Sequence, residues 1–355
     1  MPQSGGEVSH GEVAQKGRRG SSSRRLPKRR AVLEVPRSGG EVLPIFTKDG
    51  LFMPVNYSVL MSVYYKEHPD YLRQSMQSIY DQTVPTDDFV LVCDGPLTPE
   101  LDAVIADMQR QFGPRLNVCR LLKNGGLGKA LNFGIGQCKN DLVARMDSDD
   151  VSRPDRCERQ LAVFRDHPEY SLVSGIVEEF SDTITNVSVR RIVPEHQDDI
   201  IDFAKKRNPF NHPCIMYKKS DVEAAGGYQD FYLLEDYYLW IRMLQQGFIG
   251  YNLQEPLLWM RAGSDMYKRR GGWKYFLSQR KLLCYMHQSE FITYSQYLMG
   301  TFIRLGVAMA PNNFRSFIFN NILRRKLNKN SMGGVTRYNL LSRLNPMWTW
   351  GVVCD

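Results

Sequence analysis

The segment "ARMDSDD" (144–150) places three carboxylates, Asp147, Asp149 and Asp150, within four positions directly after a short apolar run. One interpretation is an acidic surface turn in which an Asp also caps the following helix. The other is a divalent-cation site, because hard cations prefer several carboxylate oxygens that converge on one point. The segment alone leaves both interpretations open. The strands and helices that precede it show where in the fold the carboxylates lie, and this position distinguishes the two interpretations.

The cluster stands at the end of a regular alternation of strand-like and helix-like segments. Four compact apolar runs have the length of buried strands, and they cover 57–63, 89–93, 117–122 and 141–146. Three amphipathic stretches predict the intervening helices, one after Pro69 and the others over 99–112 and about 128–138. This order predicts an α/β fold with a mostly parallel, Rossmann-like sheet and helices on both faces.

Polar residues follow several of the predicted strands, where an open parallel sheet binds its ligands. The turn Tyr64–Glu67 follows the first strand, Asp94 the second, and the Asp147–Asp150 cluster the fourth. Each has a plainer structural role as well. Asp94 is a turn former before Gly95-Pro96, and Glu67 is a candidate cap for the helix after Pro69. The shared position at strand ends favours a ligand site for the acidic cluster.

Charge is distributed unevenly along the 355 residues, whose formal net charge is +8. Residues 1–52 carry ten Lys and Arg against five Asp and Glu, and residues 266–355 carry fourteen against two. The stretch 53–265 therefore has a net charge of −9. An acidic body argues against a nucleic-acid groove in the fold itself, whereas basic ends suit an anionic surface such as lipid.

The remaining composition indicates a cytoplasmic protein that is either free or peripheral on the inner face of the plasma membrane. Seven scattered cysteines, with no CxxC spacing, predict reduced thiols and no zinc site. No apolar run reaches the length of a spanning helix, and the N-terminus lacks the apolar core of a signal peptide. Residues 1–52, rich in Gly, Ser and Arg, predict a disordered basic leader.

Several motifs, taken together, resemble the family-2 glycosyltransferases, which have the GT-A nucleotide-diphospho-sugar transferase fold. They are "SVLMSVYYKE", "VCDG", "NGGLGKALNFGI", "ARMDSDD" followed by "RPDR", and "EDYYLWIRM", and they span about residues 57–262 in the family's order. The most similar members are bacterial enzymes of exopolysaccharide, capsule and lipopolysaccharide synthesis. The resemblance implies a catalytic domain over 53–265, with a nucleotide-sugar-binding half (53–160) and an acceptor half (161–265).

On the donor side, the resemblance implies that the DxD-type motif holds Mn²⁺ or Mg²⁺ and a nucleotide sugar, with UDP the expected nucleotide. Asp149 is then the main metal ligand, and Asp147 a nucleotide or ribose contact that also serves the metal. Asp150 is either a second ligand or a helix cap. Further expected donor contacts come from Tyr64, Glu67, Asp94, Lys129 and Arg261. The loop before Lys129 lacks the P-loop spacing, but its step into a helix points backbone N–H groups at an anion.

On the acceptor side, the family's catalytic base maps onto Asp236 of the "ED" pair, with Glu235 beside it as an acceptor contact or supporting acid. Acids at a helix start are also favoured by the helix dipole alone. His212 and Trp240 are expected to line the acceptor side, and the alternative for His212 is a structural imidazole before Pro213. The resemblance thus implies an inverting transfer of one sugar to a hydroxyl of a glycan or a polyprenyl-linked saccharide, and no QxxRW signature of processive polymerases is present.

Two interpretations from other classes stay open at this point. One is a nucleotidyltransferase, which also joins an α/β sheet to acidic metal ligands but needs no acceptor base at Asp236. The other is a non-catalytic protein whose basic ends bind nucleic acid, although the acidic body leads us to expect no nucleic-acid partner. Residues 266–355 predict a basic helical extension that either lies on an anionic membrane or packs on the catalytic domain.

Overall fold

The structure of the protein, a computed structural model, describes residues 56–181, 183–262, 272–309 and 325–326. The predicted leader 1–52 and most of the last forty-five residues lie outside the described residues. Most of the predicted catalytic region 53–265 and the first two helices of the basic extension lie within them.

The N-terminal half is a parallel sheet with strand order β3-β2-β1-β4. Its strands are β1 (Ser58–Val63), β2 (Asp88–Cys93), β3 (Leu116–Arg120) and β4 (Leu142–Asp147). The helices between them are α1 (Pro69–Tyr80), α2 (Pro99–Phe112) and α3 (Leu127–Gln137). These seven elements confirm the predicted alternation, and most of their ends fall within one or two residues of the expected positions.

The sheet has a core on each face because alternate residues of a strand point to opposite sides. In β1, Val59 and Met61 face one core with α1 and α2, whereas Leu60 faces the other core with α3. Helix α1 begins where His68 accepts the N–H of Asp70, and α2 where Thr98 accepts the N–H of Leu101, each with a proline next in sequence. These caps satisfy donors that would otherwise be unpaired at the helix starts.

The C-terminal half continues the sheet with mixed pairing. It contains β5 (Val151–Ser152), α4 (Arg156–Asp166), β6 (Tyr170–Phe180), β7 (Val187–Arg191), α5 (Gln197–Ala204), β8 (Met216–Lys218), α6 (Lys219–Ala224), α7 (Glu235–Gln245) and β9 (Ile249–Arg261). Strand β8 is antiparallel to both β4 and β6, and β9 is parallel to β6. The expected parallel pairing thus dominates only in the first half, since the second half does not repeat the strand-helix-strand unit.

The described part of the basic extension is helical, with α8 (Trp273–Gln288) and α9 (Tyr294–Met309) packed on each other. A two-residue strand, β10 (Arg325–Lys326), pairs with β7. Within the described ranges, every helix is too short or too polar to cross a lipid bilayer.

The close approach of α3 to the sheet gives a stability prediction. A methyl group added at Gly134 would lie 2.4 Å from Cδ1 of Leu60 and 2.8 Å from Cγ2 of Val92, whereas one added at Gly136, on the same helix, meets nothing within 4 Å. We expect Gly134→Ala to lower the free energy of unfolding by about 1–3 kcal/mol through overpacking. Gly136→Ala should leave it unchanged or raise it by up to about 1 kcal/mol. Denaturant unfolding of the two variants tests this, and equal effects would contradict the packing of α3.

Candidate active site

The carboxyl ends of β1, β2 and β4 meet at one edge of the sheet. In the parallel register Val63 stands beside Cys93, and Ser62 beside Asp147. The residues that follow these strands are therefore neighbours: the Tyr64–Glu67 turn, Asp94 and the acidic cluster. The structure brings together at this edge the donor-side residues that the sequence placed at strand ends.

The acidic cluster has the geometry of a cation site. Asp147, Asp149 and Asp150 each offer a carboxylate oxygen, and these oxygens lie within 4.8 Å of one another. Oδ1 of Asp150 accepts the backbone N–H of Arg261 at 2.8 Å, while its buried Oδ2 has no protein partner. The alternative that Asp150 caps the next helix is wrong, because α4 begins after Asp155. The Oδ2 atom of Asp150 is therefore buried without a hydrogen-bond donor that would offset negative charge on it.

The pKa values in the cluster report this crowding. Burial, and then the charges of Asp147 and Glu67, raise the pKa of Asp149 to about 7. Burial, and then the charges of Asp149 and Asp147, raise the pKa of Asp150 well above its usual range. Each shift reflects the free-energy cost of charging a buried carboxyl group that has no counterion. A divalent cation would remove that cost, and three carboxylates supply the oxygen donors that Mg²⁺ and Mn²⁺ prefer.

A buried arginine that was not among the predicted site residues holds the first of these carboxylates. Arg145 on β4 is 1% exposed, and its two terminal nitrogens donate to Asp147 at 2.8 and 2.5 Å. This two-point pairing fixes the plane of the Asp147 carboxylate. The signal in the sequence was a charged residue inside the apolar run "LVARM", where burial demands a partner.

Glu67 touches the acidic motif directly. Its Oε2 accepts the hydroxyl of Ser148 at 2.5 Å, and its Oε1 accepts the N–H of His68. The alternative that Glu67 caps α1 is wrong, since His68 occupies the cap position. Tyr64 is half-buried in the same turn, where its carbonyl accepts the N–H of Glu67 and its ring contacts Tyr65 edge-on.

The glycine loop before α3 is held by Asp94. Its two carboxylate oxygens accept the N–H groups of Gly125 and Gly126 at 2.7 and 3.0 Å, and its carbonyl accepts the side chain of Asn124. The loop was expected to point backbone N–H groups at an anion. For these two N–H groups, that anion is the carboxylate of Asp94. Gly95 has φ +89°, and a Cβ there would lie 2.6 Å from the backbone nitrogen of Asn124. The loop and the end of β2 are thus joined by three hydrogen bonds and by close backbone packing.

The two basic residues expected at the donor already have protein partners. Lys129 is 63% exposed and lies 3.5 Å from the carboxylate of Asp230. The guanidinium of Arg261 stacks 3.7 Å from the centre of the Tyr71 ring, and its Nε and Nη2 donate to the carbonyl of Asp149 and the side chain of Gln74. Arg261 at the end of β9 therefore positions the backbone of the acidic motif.

A second acidic centre lies at the start of α7. Burial, and then the charge of Asp236, raise the pKa of Glu235 to about 7, and the charge of Asp147 adds a smaller contribution. Burial also raises the pKa of Asp236, and the opposing influences include the charge of Arg145. The two acidic centres are thus within electrostatic reach of each other across Arg145.

Asp236 contacts Asn208, which was not among the predicted site residues, and His212, which was. The side chain of Asn208 donates to Oδ2 of Asp236 at 2.8 Å, and Oδ1 accepts the N–H of Tyr237. His212 Nδ1 lies 3.7 Å from the same Oδ2, and its Nε2 is 2.9 Å from the hydroxyl of Tyr228. Burial lowers the pKa of His212 well below its usual range, so the imidazole is neutral and this contact is polar rather than ionic.

The expectation that Trp240 touches the acceptor is wrong. Its side chain is fully buried and packs edge-on against Phe210 and His212. Residues 239–241 of α7 all face the core, so the tryptophan supports His212 from behind. A residue that no solvent reaches is in no position to contact an acceptor.

Comparisons with known proteins identify the family. The family model described as "Glycosyl transferase family 2" matches residues 58–224. The UDP-Gal:alpha-D-GlcNAc-diphosphoundecaprenol beta-1,3-galactosyltransferase of Escherichia coli is 38% identical over 271 residues, which are 76% of this chain and 98% of that protein. The chain belongs to glycosyl transferase family 2.

A second relative of this glycosyltransferase is the amylovoran biosynthesis glycosyltransferase AmsE of Erwinia amylovora. It is 40% identical over 266 residues, which are 74% of this chain and 97% of AmsE. Relatives of the chain are therefore enzymes of bacterial polysaccharide biosynthesis. The comparisons support neither the nucleotidyltransferase nor the nucleic-acid-binding interpretation.

Solved structures give the fold. S. aureus TarS 1–349 in complex with UDP-GlcNAc superposes with a TM-score of 0.53 at 16% identity, covering 76% of each chain. The mannosyltransferase PcManGT from Pyrobaculum calidifontis, in complex with GDP-Man and Mn²⁺, gives a TM-score of 0.52 at 13% identity, covering 74% of this chain and 78% of that one. The expected GT-A fold is confirmed.

Proposed function

We propose that this glycosyltransferase is metal-dependent and inverting, and that it moves one sugar from a UDP-sugar to a hydroxyl of a lipid-linked saccharide. The observation that carries the proposal is the presence of two acidic centres near one edge of the sheet. The Asp147–Asp150 cluster suits a cation with the donor diphosphate, and Asp236 suits a base for the acceptor hydroxyl. A single displacement needs these two functions and no enzyme nucleophile.

The donor centre fits a divalent cation by the chemistry of its oxygens. Asp149 and the free Oδ2 of Asp150 are the best candidates for ligands, because both oxygens of Asp147 already accept from Arg145. Asp147 then serves the nucleotide or completes the metal's coordination. When bound, Mn²⁺ or Mg²⁺ supplies positive charge that stabilises the departing diphosphate. Asp94, Glu67 and Tyr64 shape the neighbouring strand ends, where we place the nucleoside.

The transfer step is a single in-line displacement. Asp236 takes the proton of the acceptor hydroxyl as its oxygen bonds to the anomeric carbon, and the bond from that carbon to the diphosphate oxygen breaks. The configuration at the anomeric carbon is inverted. Asn208 donates to one oxygen of Asp236 and leaves a lone pair for the hydroxyl. We assign to Glu235 an acceptor contact or a supporting role.

The choice of substrates rests on relatives. The E. coli protein is named for UDP-Gal and a diphosphoundecaprenol-linked GlcNAc acceptor, and it is matched over almost its whole length. We extend to this chain the classes of substrate, a UDP-linked hexose and a polyprenyl-linked saccharide. We place the enzyme on the cytoplasmic face of the membrane, where a water-soluble donor meets an acceptor whose lipid stays in the bilayer.

Replacing the carboxylate of Asp236 with a neutral amide should slow transfer strongly without changing the affinity for the donor. We expect Asp236→Asn to lower kcat by about 10²–10⁴-fold, the usual contribution of a general base, while the Kd for the UDP-sugar stays the same. UDP release from a panel of UDP-hexoses, with Mn²⁺ or Mg²⁺ and a lipid-linked acceptor, measures this. Chelation of the metal should abolish the wild-type signal.

Asp230→Asn is the matched control, because it removes an acid that lies six residues earlier and is 80% exposed. It should keep wild-type kcat. Full transfer by Asp236→Asn would disprove the assignment of the base.

Asn208 gives a pH prediction. A hydrogen bond to a carboxylate favours its charged form, so removing the donor raises the pKa of Asp236, which burial has already raised. The base works deprotonated, and activity therefore falls as the pH drops below this pKa. We expect Asn208→Ala to move the acidic limb of kcat/KM toward higher pH.

The control is Asn211→Ala in the same loop. Asn211 is also buried, but its side chain donates to the carbonyls of Gly175 and Arg191 and not to Asp236. It should lower stability without moving the acidic limb. The other titratable groups near Asp236, namely Glu235, His212, Tyr228 and Arg145, are unchanged in both variants. Equal shifts in the two variants would assign the effect to loop packing instead.

A further inference from the structure

Helix α9, which packs on α8, has several large apolar side chains exposed. Helix α9 is buried along a narrow stripe made by Gly300, Arg304 and Ala308. Leu298, Phe302 and Met309 lie on the opposite side, and Phe302 and Met309 are 67% and 68% exposed. A helix on the surface of a globular protein normally presents polar residues to water and apolar ones to the core. Here the arrangement is reversed.

The exposed apolar residues are concentrated in this part of the protein. Among the described residues thirteen large apolar side chains are exposed, and seven of them lie on α8 and α9. These seven define the outer face: Trp273, Leu277, Tyr294, Leu298, Met299, Phe302 and Met309. An apolar concentration of this kind marks an interaction surface more often than chance exposure.

Basic residues accompany the outer face, and acids are nearly absent. Lys274, Arg280 and Lys281 are exposed on α8, and Glu290 is the one acid in residues 272–309. Over residues 266–355 the sequence has fourteen Lys and Arg against two Asp and Glu. Apolar and aromatic side chains next to excess positive charge are complementary to the surface of an anionic lipid bilayer. A purely protein partner would not require this charge excess.

We propose that the outer face of α8 and α9 docks on the surface of an anionic bilayer, with α9 lying in the interface. The 16 residues of α9 reach about 24 Å at 1.5 Å per residue, which is less than the roughly 30 Å of a hydrocarbon core. The described part of the helix is therefore too short to span the bilayer, and we place it along the bilayer surface.

The position of α8 links this surface to the acceptor side. The hydroxyl of Ser278 donates to the carbonyl of Tyr232 at 2.7 Å, and Lys281 lies 4.7 Å from the centre of the Phe231 ring. Phe231 and Tyr232 belong to the loop that leads into Glu235 and Asp236. Docking through α8 and α9 would hold this loop close to the lipid surface. The proposal rests on the proposed function in one respect, that the acceptor is attached to a lipid.

Vesicle sedimentation of the full chain tests the surface. We expect the protein to sediment with vesicles of phosphatidylethanolamine and phosphatidylglycerol, much less with phosphatidylcholine alone, and less at high salt. The double variant Phe302→Ser/Met309→Ser should bind the anionic vesicles at least about tenfold more weakly, because it removes two exposed apolar side chains. It should fold as the wild type does, since both positions are exposed.

The matched control is Leu122→Ser/Phe133→Ser, which removes two exposed apolar side chains from the N-terminal half. It should bind vesicles like the wild type. UDP release with a water-soluble acceptor and no vesicles should be equal in the wild type and the Phe302→Ser/Met309→Ser variant, which separates this test from the proposed catalysis.

Three outcomes would overturn the proposal. One is a wild-type protein that does not bind anionic vesicles, and another is equal vesicle binding by the Phe302→Ser/Met309→Ser variant. The third is a wild-type dimer that dissociates in this variant and binds no vesicles, which would make a second copy of the chain the occupant of the outer face.

Discussion

The pairing of Arg145 with Asp147 is the interaction on which the rest of the site depends. Five carboxylates, at 147, 149, 150, 235 and 236, are gathered near one edge of the sheet. Burial raises the pKa of Asp149, Asp150, Glu235 and Asp236, and the charges of neighbouring carboxylates raise it further in the first three. A guanidinium stays charged at any physiological pH, so Arg145 is a permanent countercharge inside the fold. Its charge lowers the pKa of Asp149, Asp150, Glu235 and Asp236, against the stronger effect of burial. One buried cation therefore serves both acidic centres.

The two acidic centres differ in how many of their carboxylate oxygens accept hydrogen bonds from the protein, and this difference matches their proposed roles. Asp236 is oriented by Asn208, with His212 kept neutral beside it, as suits a base that must accept one proton from a defined direction. The Asp147–Asp150 cluster is left with an unpartnered oxygen on Asp150 and a raised pKa on Asp149. Both oxygens of the proposed base thus have hydrogen-bond donors, whereas the Asp147–Asp150 cluster keeps an oxygen without one. This arrangement is expected where a cation and a diphosphate bind and leave together.

Local patterns predicted the first half of the fold well, because each strand and helix there has its own apolar pattern, and α1 and α2 also have their own caps. Helix α2 occupies its predicted residues, 99–112. The strands of the second half, β5 to β9, were not predicted. Strand β8, for example, pairs with β4 and β6, which lie far from it along the chain. At the site, residue types at strand ends pointed to the Asp147–Asp150 cluster, whereas Glu235 and Asp236 came from the family resemblance. Burial of Arg145 could have been inferred from its place in an apolar run, but its partner could not. The role of Asn208 and the buried state of Trp240 were not predictable either, because each depends on what lies across the fold.

The most direct test of the central claim is a titration of Mn²⁺ into the protein in the presence of UDP. We compare the wild type with Asp150→Asn, which keeps an oxygen for the N–H of Arg261, and with Asp155→Asn, an acid paired with Arg159 at the start of α4. We predict one bound ion, at least about tenfold weaker binding in Asp150→Asn because cation affinity follows the ligand charge, and no change in Asp155→Asn. Unchanged Mn²⁺ affinity in a folded Asp150→Asn variant would contradict the cation site.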